Sequence, residues 1–151
     1  GICRMNAFER AATSPRSVVL IIDPDNAARA RATSEVQRLY EVVGASSLKQ
    51  AHERLTQQGA RAVRFVVLEL NAPDGDGLWL IRHLTTEAAF PPGARPTIIC
   101  LTTRNSVQDK IDALRAGASD YLVKPATHIS LALRLQLLER FERLRRDEWA
   151  V

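Results

Sequence analysis

Val18-Val-Leu-Ile-Ile22, closed by Asp23-Pro24-Asp25, is the stretch from which the fold is read. An unbroken apolar run rich in β-branched residues and too short for a helix describes a strand buried on both faces. Such strands sit in parallel sheets that carry helices on both sides. Asn26 to about Tyr40 supplies the first of those helices, with Ala28, Ala32, Val36 and Leu39 at spacings of four, four and three.

Outward from that strand the pattern repeats. Tyr40 to Ala45 is a weaker second strand, and Ser46 or Ser47 caps a helix reaching Gln58 with Gly59 as its stop. Val63 to Leu70 is a second clear buried strand, ended by the turn formers Asn71-Ala-Pro-Asp-Gly-Asp-Gly77. Asp76 or Gly77 opens a helix through Trp79, Leu80 and Leu84, broken by Pro91-Pro92-Gly93. Thr97 to Leu101 is a strand, Ser106 to Ala116 a helix closed by Gly117, and Asp120 to Val123 a short strand before Lys124-Pro125. A last amphipathic helix begins near Thr127. Strand and helix thus alternate five times, which predicts an α/β doubly wound parallel sheet.

Composition agrees with one such domain. The chain has 151 residues, 46% hydrophobic and 25% charged, enough to bury a core without disulfides or a structural metal. No repeat, low-complexity segment or membrane-length apolar run occurs. Residues 1–15, with an internal Met5 and no apolar segment of a secretory signal, are read as a flexible tail partly added to the natural chain. Cys3 and Cys100 have no metal-ligand spacing, and a cytoplasmic setting is expected. The net charge of +4, from 21 Lys and Arg against 17 Asp and Glu, is scattered along the chain, so nucleic acid binding and membrane binding are not expected.

In open parallel sheets the working crevice lies beyond the carboxyl ends of the strands. That rule gathers Asp23 and Asp25 after the first strand, Glu69 at the end of the third, Thr102 and Thr103 after the fourth and Lys124 after the fifth. Carboxylates that can hold Mg²⁺, a hydroxyl that can donate and a lysine that supplies charge together suit a phosphoryl group.

These residues resemble the receiver domains of two-component response regulators, over about residues 17–140. The resemblance rests on Ala116-Gly-Ala-Ser-Asp-Tyr-Leu-Val-Lys-Pro125, on Asn71-Ala-Pro-Asp-Gly-Asp-Gly-Leu78 and on Ile99-Cys-Leu-Thr102. It implies a flavodoxin-like (βα)5 fold with strand order 2-1-3-4-5. It further implies that an acidic pair and an aspartate ending the third strand bind Mg²⁺, and that this aspartate accepts phosphate from a histidine kinase. Thr102 and Lys124 would contact the phosphoryl group, and Tyr121 would reorient when the domain switches. If Mg²⁺ binds at all, Asp23, Glu69 and the Asn71 backbone carbonyl are its expected ligands, with no cofactor required.

Two positions depart from the family pattern. Glu69 stands where the acceptor aspartate belongs, and Pro24 replaces the second acid of the pair, leaving Asp25 one step beyond it. Glutamate's extra methylene moves the carboxylate by about 1.5 Å, and a displacement near 1 Å costs in-line transfer about a hundredfold. Losing a hard oxygen ligand weakens Mg²⁺ binding as well. The expectation is an atypical receiver that takes little or no phosphate and is not an enzyme. Glu69 then either imitates the phosphorylated state, reaching Thr102 and Lys124, or forms a fixed ion pair with Lys124; a lone carboxylate has fewer acceptors than a phosphoryl group, which favours the ion pair.

Competing readings remain. A receiver that still switches would need Asp25 to rescue the metal site and Glu69 to accept phosphate. Asp23-x-Asp25 also resembles haloacid-dehalogenase phosphatases, with Asp23 as nucleophile and Asp25 as acid/base, although Asn26-Ala27 and the lack of a late acidic pair speak against it. His52, His83 and His128 lie on different predicted helices and read as surface or boundary residues, Trp79 as a packing residue, Cys100 as a core hydrophobe, and Asp74 and Asp76 as turn and cap residues.

In the last helix Leu131, Leu135 and Leu138 can face the sheet, while Leu137, Phe141 and Leu144 continue an apolar stripe, with Trp149 as its possible extension. Glu139 with Arg143 and Glu142 with Arg146 have i,i+4 spacing. Residues 16–140 are therefore assigned to the domain. Residues 141–151 are an extension that either folds back or leads, as a dimerising or signalling helix, to an output module outside this chain. The expected partner is a protein or a second copy, bound across the face of helix four, strand five and helix five.

Overall fold

The computed structural model describes residues 16–57, 63–86, 90, 92–126 and 130–149. Five parallel strands, β1 (Val18–Ile22), β2 (Glu41–Ala45), β3 (Val63–Leu68), β4 (Thr97–Thr102) and β5 (Asp120–Val123), form one sheet in the order β2-β1-β3-β4-β5. The helices between and after them are α1 (Asn26–Val36), α2 (Leu48–Gln57), α3 (Gly77–Leu84), α4 (Val107–Ala116) and α5 (Leu131–Trp149). The alternation predicted a doubly wound parallel sheet, and this strand order is the flavodoxin-like one that the receiver resemblance implied.

The strands are apolar throughout because both faces are covered. Val18, Leu20 and Ile22 of β1 join Val66 and Leu68 of β3 in one core under α2 and α3. The intervening Val19 and Ile21 join Phe65 and Val67 in the other, with Ala32 and Val36 of α1 and Leu131 and Leu135 of α5. Period-two alternation splits each strand between two cores, and a polar residue at any of these positions would enter one of them.

Capping side chains aim the helices. Asp25 opens α1 by accepting from the N–H groups of Ala27 and Ala28, and Ser106 opens α4 by accepting from Asp109 N–H. Asp76 caps α3 through Leu78 N–H, and Asp74 caps α2 from a distant loop through the N–H groups of Leu48 and Lys49, both at 2.9 Å. Gly77 begins α3 where a Cβ would lie 2.8 Å from the Leu70 Cα, so only glycine lets the loop close there.

Several boundaries differ from those expected. α1 ends at Val36, because the following turn leaves Leu39 exposed and returns Tyr40 to the core, its N–H bonded to the Val36 carbonyl. β3 ends at Leu68, before Glu69 turns to its partners. α3 stops at Leu84, well short of the prolines, where the Thr85 hydroxyl reaches the carbonyls of Ile81 and Ala116. α5 begins at Leu131, whose N–H is held by Glu35 at 2.5 Å. Gln58, Gly59, Pro91, Thr127, His128, the tail with Cys3 and the side chains of Arg146 and Trp149 lie outside what is described.

The acids of the i,i+4 pairs expected along the last helix, Glu139 and Glu142, have tertiary partners. Glu139 lies 3.6 Å from the Arg64 Nε and accepts from the Tyr40 hydroxyl at 2.8 Å, and Glu142 lies 3.5 Å from Arg64 and accepts from the Thr97 hydroxyl. A half-buried arginine at the start of β3 draws both acids inward, where screening by water is weaker than along an exposed helix.

Candidate functional site

Asp23, Glu69 and Thr102 are the three buried polar side chains among the described residues, and they lie together at the carboxyl end of the sheet. Each follows or ends one of three adjacent strands, so the strand order itself makes them neighbours. Lys124, just past β5, completes the group: its Nζ lies 2.5 Å from Asp23 Oδ2 and 3.3 Å from Glu69 Oε1. One ammonium thus serves two buried carboxylates, and its backbone N–H donates to the Thr102 carbonyl at 2.8 Å.

Glu69 is the most heavily bonded member. Its Oε2 accepts from the Thr102 hydroxyl and from Asn71 N–H at 3.2 Å, and its Oε1 from Thr103 N–H at 3.1 Å and, more weakly, the Thr103 hydroxyl at 3.4 Å. Burial alone would raise the Glu69 carboxyl, but the bonds from Thr102, Asn71 and Thr103 and the charge of Lys124 outweigh it and hold it below its ordinary value. The group is therefore held as an anion at neutral pH, with its acceptor sites filled.

The Asp23-Pro24-Asp25 segment divides its acids. Asp23 faces Lys124 and accepts from Asp25 N–H at 2.9 Å, whereas Asp25 is spent on the start of α1 and is held below its ordinary value by the Ala28 and Ala27 N–H groups. Asp25 is thus a helix cap and not the pocket acid expected from the sequence. That use also removes the acid/base of the phosphatase reading.

A magnesium site does not fit this donor set. Mg²⁺ demands near-octahedral oxygen ligation, yet Lys124 Nζ sits between the two carboxylates that would supply it, Pro24 has no side-chain oxygen, and no cluster of three His, Cys, Asp or Glu with metal-holding geometry occurs among the described residues.

Sequence reasoning missed Arg104. Its guanidinium donates to Asn71 Oδ1 at 2.7 Å and Asp76 Oδ1 at 3.1 Å, its N–H donates to Thr102 Oγ1, and its carbonyl accepts from the Tyr121 hydroxyl at 2.9 Å. Arg104 therefore ties the loop after β3, the Glu69 cluster and Tyr121 together. Burial, followed by nearby Asp109, pushes the Tyr121 phenol up to about 12, so it stays a donor. Its only sequence signal was its place two residues after Thr102.

Other expected residues stand apart. Trp79 is half exposed and stacks on His83 with rings 5.1 Å apart, and His52 lies 5.9 Å from His83, so these two histidines share a surface rather than lying separately. Cys100 is fully buried, and burial pushes its thiol up to about 12, consistent with a core residue.

A family model described as the response regulator receiver domain matches residues 19–136. The chain belongs to that family. Among similar proteins, the KDP operon transcriptional regulatory protein KdpE of Escherichia coli K12 is 40% identical over 86 residues, covering 57% of this chain and 36% of that protein. The transcriptional regulatory protein PhoP of the same strain is 32% identical over 123 residues, covering 81% of this chain and 52% of that protein. The chain thus spans about half the length, or less, of these relatives. Solved receiver domains share the fold: the beryllofluoride-activated DrrB receiver domain superposes with a TM-score of 0.66 at 21% identity, covering 85% of this chain and 98% of that one. A CheY-like receiver from Methanospirillum hungatei gives 0.66 at 22% identity, covering 87% and 98%.

Proposed function

We propose that this receiver domain signals through protein contacts without aspartyl phosphorylation, Glu69 standing permanently where a phosphorylated acceptor would be. One observation carries the reading. Glu69 already engages Thr102, Thr103 N–H and Lys124, while Tyr121 is bonded inward to the Arg104 carbonyl. A simple ion pair would need only Lys124, and Lys124 lies closer to Asp23 than to Glu69. The hydroxyl and backbone contacts on Glu69 therefore favour the stand-in over the lock. On this reading the protein is a cytoplasmic signalling component whose role is contact rather than catalysis. Among the described residues no helix is long and apolar enough to cross a membrane.

On this reading residues 16–140 are the receiver unit and residues 141–151 an extension beyond it, of which 141–149 continue α5. The contact face is α4, β5 and α5, and α4 contributes the exposed Val107, Ile111 and Leu114, spaced four and three along one side. Covering that face is how a fixed receiver passes on its state, to an output domain or a second copy.

The test is a titration with Mg²⁺ and then beryllofluoride, an acyl-phosphate mimic, followed by Trp79 fluorescence in a Trp149→Phe background. No saturable change is expected, while the Pro24→Asp, Glu69→Asp double variant regains one. A saturable Mg²⁺-dependent response of the unaltered protein would establish a working phosphorylation switch instead.

A further inference from the structure

The outward side of α5 separates its chemistry in a way that neither the sheet nor the Glu69 cluster explains. Leu133, Leu137, Phe141 and Leu144 are each more than half exposed and follow one another at spacings of four, four and three, a stripe about 16 Å long. Arg140, Arg143 and Arg145 are exposed on the same stretch. Its acids, Glu139 and Glu142, are turned to the body, where Arg64, Tyr40 and Thr97 hold them. From Leu133 to Arg145 the outward charge is therefore entirely positive.

We propose that this stripe is a docking site for an acidic amphipathic helix of a partner protein, its apolar residues seated on Leu137 and Phe141 and its carboxylates meeting the three arginines. Charge complementarity selects the occupant. A second copy would gather the same arginines from both chains at one seam, which costs rather than stabilises. A lipid surface would require the helix to sink about 5–10 Å, and α5 is held from behind by the buried Leu131 and Leu135 and by the Glu139 bond to Tyr40. A helix laid alongside needs no such movement, and a row of large residues at four-four-three spacing is the kind of ridge that packs into the grooves of another helix.

The probe is a labelled synthetic helical peptide of roughly 18 residues, five turns, with leucines at four-three spacing and glutamates on both flanks. Fluorescence anisotropy against the full chain is expected to show saturable binding that weakens with added salt. Reversing Arg140, Arg143 and Arg145 to Glu weakens it by about tenfold or more, and Leu137→Ala with Phe141→Ala abolishes it while circular dichroism stays unchanged. Equal binding of a peptide with lysines in place of the glutamates, or no saturation, overturns the proposal. So does a light-scattering mass of two chains that Phe141→Glu returns to one, and so does co-sedimentation with phosphatidylserine vesicles that the same substitution removes.

Discussion

The carboxyl end of the sheet and the outer side of α5 are opposites in how they treat their polar groups. At the sheet end the buried charges are answered: Lys124 by Asp23 and Glu69, Glu69 by Thr102, Thr103 and Asn71. On α5 the acids are drawn in toward Arg64, and arginines and large apolar side chains are left facing solvent. A buried carboxylate is tolerated only with its bonds satisfied, so a pocket this complete has little left to offer a ligand. The exposed apolar row carries the reverse burden and is stabilised only by being covered. On the reading proposed above, the capacity to interact in this receiver has moved from the pocket to the surface.

The sharpest way to break that comparison is to take away the cation the pocket is built around. Lys124→Ala leaves Asp23 and Glu69, both nearly inaccessible, as adjacent anions without a counter-charge. Removing one partner of a buried charged set costs about 3–5 kcal/mol, and urea unfolding should show a lower midpoint with an unchanged slope. A loss below about 1 kcal/mol, the range of surface pairs, would mean that water reaches the carboxylates and the pocket is open after all.

A smaller effect lies in the acid limb of stability. Glu69 is held below its ordinary value of 4.5, so its contribution is complete above that value and is lost as pH falls through the lower folded value. Glu69→Gln keeps the shape and removes the titration. The stability difference between wild type and this variant should be flat from neutral pH down to about 5 and shrink below 4.5. A difference that instead grows on acidification would mean that the carboxyl is raised by burial and is not a standing anion.

Much of this was legible in the chain, and the reason is periodicity. Val18 to Ile22, Val63 to Leu70 and Thr97 to Leu101 announce buried strands by composition alone, and the carboxyl-end rule then places Asp23, Glu69, Thr102 and Lys124 on one rim. The departures at Pro24 and Glu69 were equally visible, because a motif shows its substitutions. What stayed hidden are ties between loops distant in sequence: Asp74 capping α2, Arg104 joining Asn71 to Tyr121, and Arg64 drawing in Glu139 and Glu142. Helical spacing suggested partners for those two acids within α5, and it carries no signal of a strand arginine that reaches both from across the fold. Asp25 misled for a related reason, since an acid beside a buried strand looks the same whether it faces a pocket or caps the next helix.

The smallest expected effect bears on the other region. Phe141 is 73% exposed, and if the outer side of α5 is free in the isolated protein, Phe141→Ser should change unfolding stability by no more than about 0.5 kcal/mol. Near-neutrality is informative here because a large aromatic side chain anchored in a core costs about 3–5 kcal/mol to truncate. The same substitution should therefore be almost silent in denaturation and severe for the acidic peptide. A stability loss above about 2 kcal/mol would show instead that Phe141 is already covered in the isolated protein, and the contrast between a filled pocket and an open surface would fail at its second term.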